Sequence, residues 1–480
     1  QQAVTANSGT TAIDLSSGNV IYMTQSANTT VSFANTEGNT DVVYLIRVKD
    51  DNTTARTITW PSGMVWNGGT EPTLVNNAGG NEFEGQVFKL TTRDNGATWY
   101  GSEVVNLDTI QGYQMWALGA NASGQLGQNS VSYFSSPVQI TGSWASMSSN
   151  TQKGFQTVAV KNDKTLWSWG YNAYGQLGQN NRIYYSSPTQ IGSDSGWSGA
   201  IAGSSGLSYI TTKTDGTLWA WGSNLHGQLA QNDSITGYSS PVQVPGTTWP
   251  TDVEKIGGGY TNFYAIKTDG TLWTWGNGGD YGGLGQNQGG ALAVSSPVQI
   301  PGTTWKHVGG SNVGSALATK TDGTLWSWGV NYQGVLGLNG NSGSGYPGSK
   351  SSPTQIPGTT WNNFSSNGYG NIITRTDGTL WSWGYNTWGQ LGLNDRTARS
   401  SPVQIPGTTW ASVGSIGVGG QVATKTDGTL WAWGWNGSGW QGQNNKIHYS
   451  SPVQIPGTDW ITTHPSIFGI QGAIYVLKEE

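Results

Sequence analysis

The stretch Tyr264-Ala265-Ile266-Lys267-Thr268-Asp269-Gly270-Thr271-Leu272-Trp273-Thr274-Trp275-Gly276 decides the fold. Two short apolar runs flank Asp269-Gly270, a strong hairpin signal because glycine accepts a positive φ at no steric cost. The same Thr-Asp-Gly-Thr recurs at Thr214, Thr321, Thr376 and Thr426, and departs once, as Asn162-Asp163-Lys164-Thr165. Leu-Trp-x-Trp-Gly opens at Leu166, Leu218, Leu272, Leu325, Leu380 and Leu430, with a weaker copy at Met115-Trp116-Ala117-Leu118-Gly119. The leading tryptophans stand 50 to 55 residues apart, which marks a repeat architecture. In a strand, two tryptophans two residues apart share one face, and the other face receives Leu, a small residue and Gly. A sheet with one bulky and one small face stacks on copies of itself, and radial stacking of that kind is a β-propeller.

Outward from the strand runs Gly-x-Asn-x-x-Gly-Gln-Leu-Gly-Gln-Asn, as at Gly170 to Asn180, then a variable stretch, then Ser-Ser-Pro. Ser-Ser-Pro occurs seven times, with prolines at Pro137, Pro188, Pro241, Pro297, Pro353, Pro402 and Pro452. Both markers therefore count seven blades. The first copy lacks an Asp-Gly hairpin and a leading strand, while the chain ends on the leading strand Ala473-Ile474-Tyr475-Val476-Leu477-Lys478. Each end holds the half the other lacks. We expect the last strand to pair with the one around Tyr113 to Leu118, closing a ring without open edges.

Asp-Gly-Thr-Leu-Trp-x-Trp-Gly followed by Asn-x-x-Gly-Gln-Leu-Gly resembles the repeat of the regulator of chromosome condensation family, over roughly residues 112–480. The resemblance implies a seven-bladed propeller serving as a protein-binding platform. Members of that family include nucleotide-exchange factors for a small GTPase and bacterial inhibitors of β-lactamase. This chain departs from the eukaryotic pattern: it has no basic tail, and its repeats are unusually alike and poor in charge. The fold transfers; the exchange-factor function does not follow.

Residues 1–108 carry none of the repeat markers, so the domains read as 1–108 and 109–480. Apolar runs such as Val42 to Val48 and Gln86 to Leu90 alternate with turn clusters such as Asn67-Gly68-Gly69 and Asp94-Asn95-Gly96. That pattern reads as a small all-β domain, a sandwich or jelly roll. Thr57 to Leu74, with its Trp60-Pro61 and Trp66-Asn67-Gly68-Gly69, resembles β-domains of bacteriophage tail and fibre proteins, as does Phe88 to Gly101. The resemblance implies an attachment domain on a virion.

Composition narrows the function classes. Only 10% of residues are charged and the net charge is −5, with no Lys/Arg run, which argues against nucleic acid as a partner. No apolar run is long enough for a membrane-spanning helix, and cysteine is absent. The chain begins at Gln1 rather than Met, which hints at processing. His226, His307, His448 and His464 show no zinc-ligand spacing. The repeated aspartates Asp215, Asp269, Asp322, Asp377 and Asp427 precede Gly in a hairpin, which explains them without a carboxylate ring. No phosphate loop or nucleophile elbow is present, and nothing favours a carboxylate pair such as Glu82 and Glu84. These features point to a non-enzyme without metal or cofactor.

The recurring tryptophans read as packing, and so does the series Trp144, Trp197, Trp249, Trp305, Trp361, Trp410 and Trp460. Variable positions are better recognition candidates: Tyr133, Phe134, Arg182, Tyr184, Tyr185, Tyr238, Tyr346, His448 and Tyr449 before or at Ser-Ser-Pro. A second set, after the strand, comprises Tyr171, Tyr174, His226, Tyr332, Tyr385, Trp388, Trp435 and Trp440. Aromatic side chains beside Asn and Gly suit protein or glycan recognition; covering of neighbouring blades is the structural alternative. The expectation is a bacteriophage structural protein (fibre, spike or surface decoration) on the virion surface. Its β-domain would join other virion proteins, as an oligomer where fibre parts multimerise, and its propeller would face a host-surface protein or glycan. The alternative is a secreted bacterial binding or inhibitor propeller, or a subunit of an extracellular assembly.

Overall fold

The structure is a computed structural model that describes residues 2–6, 9–15, 20–25, 27–34, 41–49, 57–66, 71, 85–92, 98–106, 113–149, 155–204, 207–234, 237–288, 292–311, 313–340, 348–366, 369–416, 419–458, 460, 467–470 and 473–478. The chain divides into two compact units, Gln1–Gln111 and Gly112–Glu480.

The first unit is a pair of sheets. Gln2–Ala6, Val20–Gln25 and Asp41–Lys49 lie side by side in one, while Gly9–Asp14, Thr29–Ala34 and Ile58–Thr59 form the other. Successive strands thus alternate between sheets, and each pairs in parallel with the strand two before it: Gln2 with Ile21, Gly9 with Thr29, Val20 with Tyr44. Among the described residues of this unit only Gly85–Thr92 brings antiparallel pairing, to Asp41–Lys49 and to Trp99–Asn106. The two-sheet all-β architecture matches the sequence, but its ladders are mostly parallel where a jelly roll is antiparallel. Short runs and polar turns are compatible with both a hairpin and a crossover to the facing sheet, so the pattern alone did not separate them. Ile13, Val31 and Ile58 from one sheet meet Met23, Leu45, Phe88, Leu90 and Trp99 from the other in a shared core.

The second unit is a ring of seven blades. Five are four-stranded sheets in chain order, from Trp197–Ser204 through Tyr238–Val244 up to Trp410–Ile416 through Tyr449–Ile455. The other two are joined by one long strand, Phe134–Ser149: its first part pairs with Tyr113–Gly119 and its second with Gln156–Lys161. Closure is as expected. Ala473–Lys478 pairs antiparallel with Tyr113–Gly119, Gln114 opposite Lys478 and Gly119 opposite Ala473. The first blade therefore takes two strands from each end of the second unit, counting Ile467–Ile470. Leading strands of neighbouring blades contact one another, which places them at the inner ring and the Ser-Ser-Pro strands at the outer edge.

Packing between blades follows the bulky-on-small scheme. Val158, Val160 and Leu166 of the second blade receive Trp197, Tyr209 and Trp221 of the third. Leu218 and Ala220 of the third receive Phe263 and Trp275 of the fourth. The second tryptophan of each Leu-Trp-x-Trp-Gly is fully buried and donates its indole N–H to a carbonyl of the preceding blade, as Trp221 Nε1 to Gln176 O (2.9 Å) and Trp433 Nε1 to Gln390 O (2.9 Å). A backbone bond repeats at each of these seams, for example Asn180 N to Ser239 O at 2.7 Å. Gly175 sits so close to Ser239 that a Cβ there would lie 2.7 Å from it, which accounts for Gly in Gly-Gln-Leu-Gly.

The seventh seam is built differently. The first blade has Leu118 where other blades have the second tryptophan, and the seventh blade has Trp440 where four others have Gln, the fourth Gly283 and the fifth Val335. Trp440 is fully buried and packs in one cluster with Leu118, Leu430, Ile455 and Val476. The indole missing from one side of the seam is thus supplied by the other.

Candidate binding surface

Antiparallel order puts the connections between first and second strands, and between third and fourth, at one end of every blade. The Asp-Gly hairpins and Pro-Gly connections fall at the other end. These two faces differ in chemistry.

The first face rests on a buried asparagine. In the sixth blade Asn386 Nδ2 donates to Thr397 O (3.0 Å) and Asp395 O (3.2 Å), while its Oδ1 accepts from Leu391 N (3.0 Å). Asn121, Asn172 and Asn436 hold their connections in the same manner. One polar side chain thus satisfies three backbone groups and fixes a long connection without regular structure. On that frame sit the exposed apolar side chains. Among the described propeller residues, every exposed large apolar side chain lies on this face: Val131, Tyr133, Tyr174, Ile183, Tyr184, Leu225, Tyr260, Tyr281 and Ile447. The hairpin face carries none. Single exposed apolar residues are ordinary; their segregation to one face is what distinguishes the two faces.

The sequence-predicted positions separate into two groups. Tyr133, Arg182 and Tyr184 are exposed, and Tyr184 packs its ring 4.8 Å from Tyr171. Burial and a hydrogen bond with Tyr184 raise the Tyr171 phenol above its ordinary range. Phe134, Tyr185, Tyr238 and Tyr449 are half-buried at the start of the outer strand, each opposite the glycine that ends the tryptophan strand: Gly119, Gly170, Gly222 and Gly434. Their rings cover a position without a side chain, and Phe134, Tyr185 and Tyr238 also pack against core clusters. The hydroxyls of Tyr185 and Tyr449 accept from Asn181 and Asn445 (3.1 and 3.0 Å). These four are packing residues. His448 is half-buried; its Nδ1 accepts from Asn436 N at 3.0 Å, and burial, with the Arg396 charge, lowers its pKa. Tyr346 lies outside the described residues, as do His464, Glu82 and Glu84.

The second variable set forms an arc. Tyr332 stands 5.7 Å from Tyr369 and 6.1 Å from Tyr385; Tyr385 stands 5.6 Å from Trp388. Trp388 and Trp435 flank Gly419, and Trp435 stands 6.3 Å from His448. All these rings are half-buried. Trp440 does not belong here, being core. Tyr369 was missed by sequence reading because it belongs to the other connection of its blade; its only signal is an aromatic residue just before a leading second strand.

On the hairpin face the repeat motif becomes a relay. Trp273 Nε1 donates to Thr271 Oγ1 (2.9 Å), and Thr271 donates from Oγ1 and N to Asp269 (2.6 and 2.9 Å). The same relay occurs at Asp215, Asp322, Asp377 and Asp427, and in each the threonine hydroxyl is the chief cause that lowers the carboxylate pKa. The aspartates are turn residues. Among the described residues no group of three His, Cys, Asp or Glu could hold a metal ion. His307 is buried and pairs through Nε2 with Glu254, which ties the fourth and fifth blades together. Among the described residues no helix is long and apolar enough to cross a membrane.

The architecture defined by these observations is a closed seven-bladed propeller of repeats built on Asp-Gly-Thr-Leu-Trp-x-Trp-Gly. The regulator of chromosome condensation (RCC1) repeat model matches residues 163–207 and 377–423. The chain is similar to the human E3 ubiquitin-protein ligase HERC2, at 26% identity over 288 residues, covering 58% of this chain and 6% of that protein. It is likewise similar to the mitochondrial RCC1 domain-containing protein RUG3 of Arabidopsis thaliana, at 26% identity over 321 residues, covering 61% of this chain and 70% of that one. The structure of yeast RCC1 (Prp20) bound to Kap60 superposes with a TM-score of 0.66 at 18% identity, covering 77% of this chain and 90% of that one. The propeller therefore carries RCC1 repeats and folds as an RCC1-type propeller.

Proposed function

We propose that this chain is a non-enzymatic recognition protein of a bacteriophage particle: the β-unit at residues 1–108 attaches it to other virion proteins, and the propeller offers one face to a host-surface protein. One observation carries the recognition reading, the confinement of all exposed large apolar side chains of the described propeller residues to a single face. Yeast RCC1, on a similar fold, is found bound to a protein, Kap60. The resemblance of Thr57 to Leu74 to phage fibre domains supports the virion context.

The test uses the whole chain, fluorescently labelled, on host cells. Tyr184→Ala combined with Tyr174→Ala reduces cell binding roughly tenfold, the loss of one hot-spot pair, with an unchanged melting curve. Thr359→Ala, exposed on the opposite face, leaves binding intact. Protease treatment of the cells abolishes the share of binding that Tyr184 and Tyr174 carry, so that the double variant and wild type then bind equally. Equal binding by all variants refutes the face. Absence of the chain from purified particles by mass spectrometry refutes the virion setting and leaves a secreted binding propeller.

A further inference from the structure

At six seams a cation at or near the end of a blade's second strand lies over two indole rings. Lys320 Nζ is 4.7 Å from the Trp305 ring centre and 4.6 Å from that of Trp326; the Arg375 guanidinium is 4.1 and 4.3 Å from Trp361 and Trp381. Five of the six share the pair of tryptophans from the first and third strands, yet among the described residues only Lys213 has a carboxylate within ion-pair distance. There, Lys213 Nζ meets Asp194 Oδ2 at 2.8 Å. Asp194 belongs to Gly192-Ser193-Asp194-Ser195-Gly196, which replaces the Pro-Gly-Thr-Thr of later blades and is one residue longer. Among the described residues no carboxylate reaches Lys267, Lys320, Arg375 or Lys425 within ion-pair distance. The nearby hairpin aspartates accept through Oδ1 from Thr271, Thr324, Thr379 and Thr429 and act on these cations only from beyond ion-pair distance.

A second donor is open at the same place. The indole Nε1 of Trp249, Trp305, Trp361 and Trp410 is buried without an acceptor among the described residues. A methyl placed on Gly358 would meet both Trp361 Nε1 (3.3 Å) and Arg375 Nη2 (3.1 Å); one on Gly302 would meet Trp305 Nε1 (3.5 Å) and Lys320 Nζ (3.7 Å). Two donors thus converge beside a glycine that leaves room. The cleft at Arg375 holds about 510 Å³ and is lined by Trp361, Trp381, Asn339, Gln355 and Ser401. Its counterpart at Lys213, with Asp194 in its wall, holds about 340 Å³. Within one molecule, the cleft that owns a carboxylate is the smaller and neutralised one.

We propose that the Arg375 cleft, and its counterparts at Lys267, Lys320 and Lys425, bind the carboxylate-bearing sugar units of an acidic glycan. The sugar carboxylate takes the place that Asp194 occupies at Lys213, accepting from the cation. Beside Asp194, Trp197 Nε1 stays without an acceptor among the described residues, so the indole N–H is left for a second oxygen of the sugar. The pyranose ring lies against the half-buried Trp381, and its hydroxyls meet the amides and hydroxyls of Asn339, Gln355 and Ser401. Neutral amide and hydroxyl groups around aromatic surface match a polyhydroxylated ring better than a peptide, whose own amides would need a strand edge or carbonyls to pair with. Repetition from seam to seam lets one polymer engage several clefts, raising avidity without new contacts.

Titration calorimetry of the whole chain with a hexuronic acid trisaccharide, the matched neutral hexose trisaccharide and a Glu-rich peptide tests this. The acidic trisaccharide binds at more than one site, and its neutral counterpart binds roughly tenfold more weakly, as expected for loss of a charged hydrogen bond. Arg375→Met removes one site, Arg375→Lys keeps it, and Asp194→Asn adds one by freeing Lys213. Melting curves confirm that each variant is folded. Absence of binding, equal affinity for the neutral sugar, tighter binding of the peptide, or an unchanged site count in folded Arg375→Met and Asp194→Asn overturns the proposal.

Discussion

Asn386 shows how much of a repeat is held by single polar side chains. Its hydrogen bonds to three backbone groups reach residues five to eleven positions away, and the side chain is only 1% exposed. Asn386→Ala leaves three backbone groups without a partner, at about 1–3 kcal/mol each where they stay dry. The expected outcome is a drop of a few kcal/mol in denaturant-unfolding stability, while Asn394→Ala, at the more exposed rim, costs less. The hairpin aspartates act in the opposite regime, at the surface. Hydrogen bonds from the following threonine lower the pKa of Asp215, Asp269, Asp322, Asp377 and Asp427 relative to the unfolded chain. A depressed carboxylate pKa adds stability that is present above the unfolded value and disappears as pH falls through the folded one. Melting temperature is therefore expected to be flat near neutrality and to fall below the ordinary carboxylate range. In a variant with all five converted to Asn that acid-side fall is shallower; an identical pH profile would show that the turns do not depend on the charge.

At the scale of elements, the period, the hairpins and the closing strand were legible because they rest on local chemistry: Asp-Gly at a turn, Trp two residues from Trp, half a blade at each end. The aromatic rim was legible only in part. Tyr184 and Tyr133 are exposed as read, but Tyr185, Tyr238 and Tyr449 differ from them by where they fall opposite a glycine of the next strand, a register that sequence alone does not display. The cation between two indoles was invisible for a related reason: Lys320, Trp305 and Trp326 come from three strands, and nothing adjacent in sequence couples them. In sequence Met115 to Gly119 reads as a weaker copy and Trp440 as a variable recognition candidate, yet at the seventh seam the two departures compensate. Trp440→Gln restores the common motif but empties a site facing Leu118, with an expected cost of about 3–5 kcal/mol. Leu118→Trp alone overpacks against Trp440, at about 1–3 kcal/mol. Together the changes recreate the seam found elsewhere, so the double variant is more stable than the sum of the single losses by about 1–3 kcal/mol. Additive losses in urea unfolding would show that the two positions do not exchange roles.

At the scale of the propeller, stability is shared around a ring whose closure is non-covalent. Ala473–Lys478 lies between Tyr113–Gly119 and Ile467–Ile470, so its removal breaks a ladder on both sides. It also removes Tyr475, which is fully buried and whose hydroxyl donates to Gln125 O and accepts from Thr157 Oγ1 at 2.9 Å. Burial pushes the pKa of that phenol above its ordinary range, which favours the protonated, donating form. Loss of this side chain alone is worth about 3–5 kcal/mol, and the exposed edges of Tyr113–Gly119 add an aggregation route. A chain ending at residue 472 is expected to melt at lower temperature and with reduced cooperativity, because the first and seventh blades no longer support each other. A synthetic peptide of residues 473–480 should restore the melting transition by adding back as a strand, and the same peptide with Tyr475→Ala should fail. If the truncated chain melts as the full one does, the ring is held by its seams alone and the closing strand is dispensable.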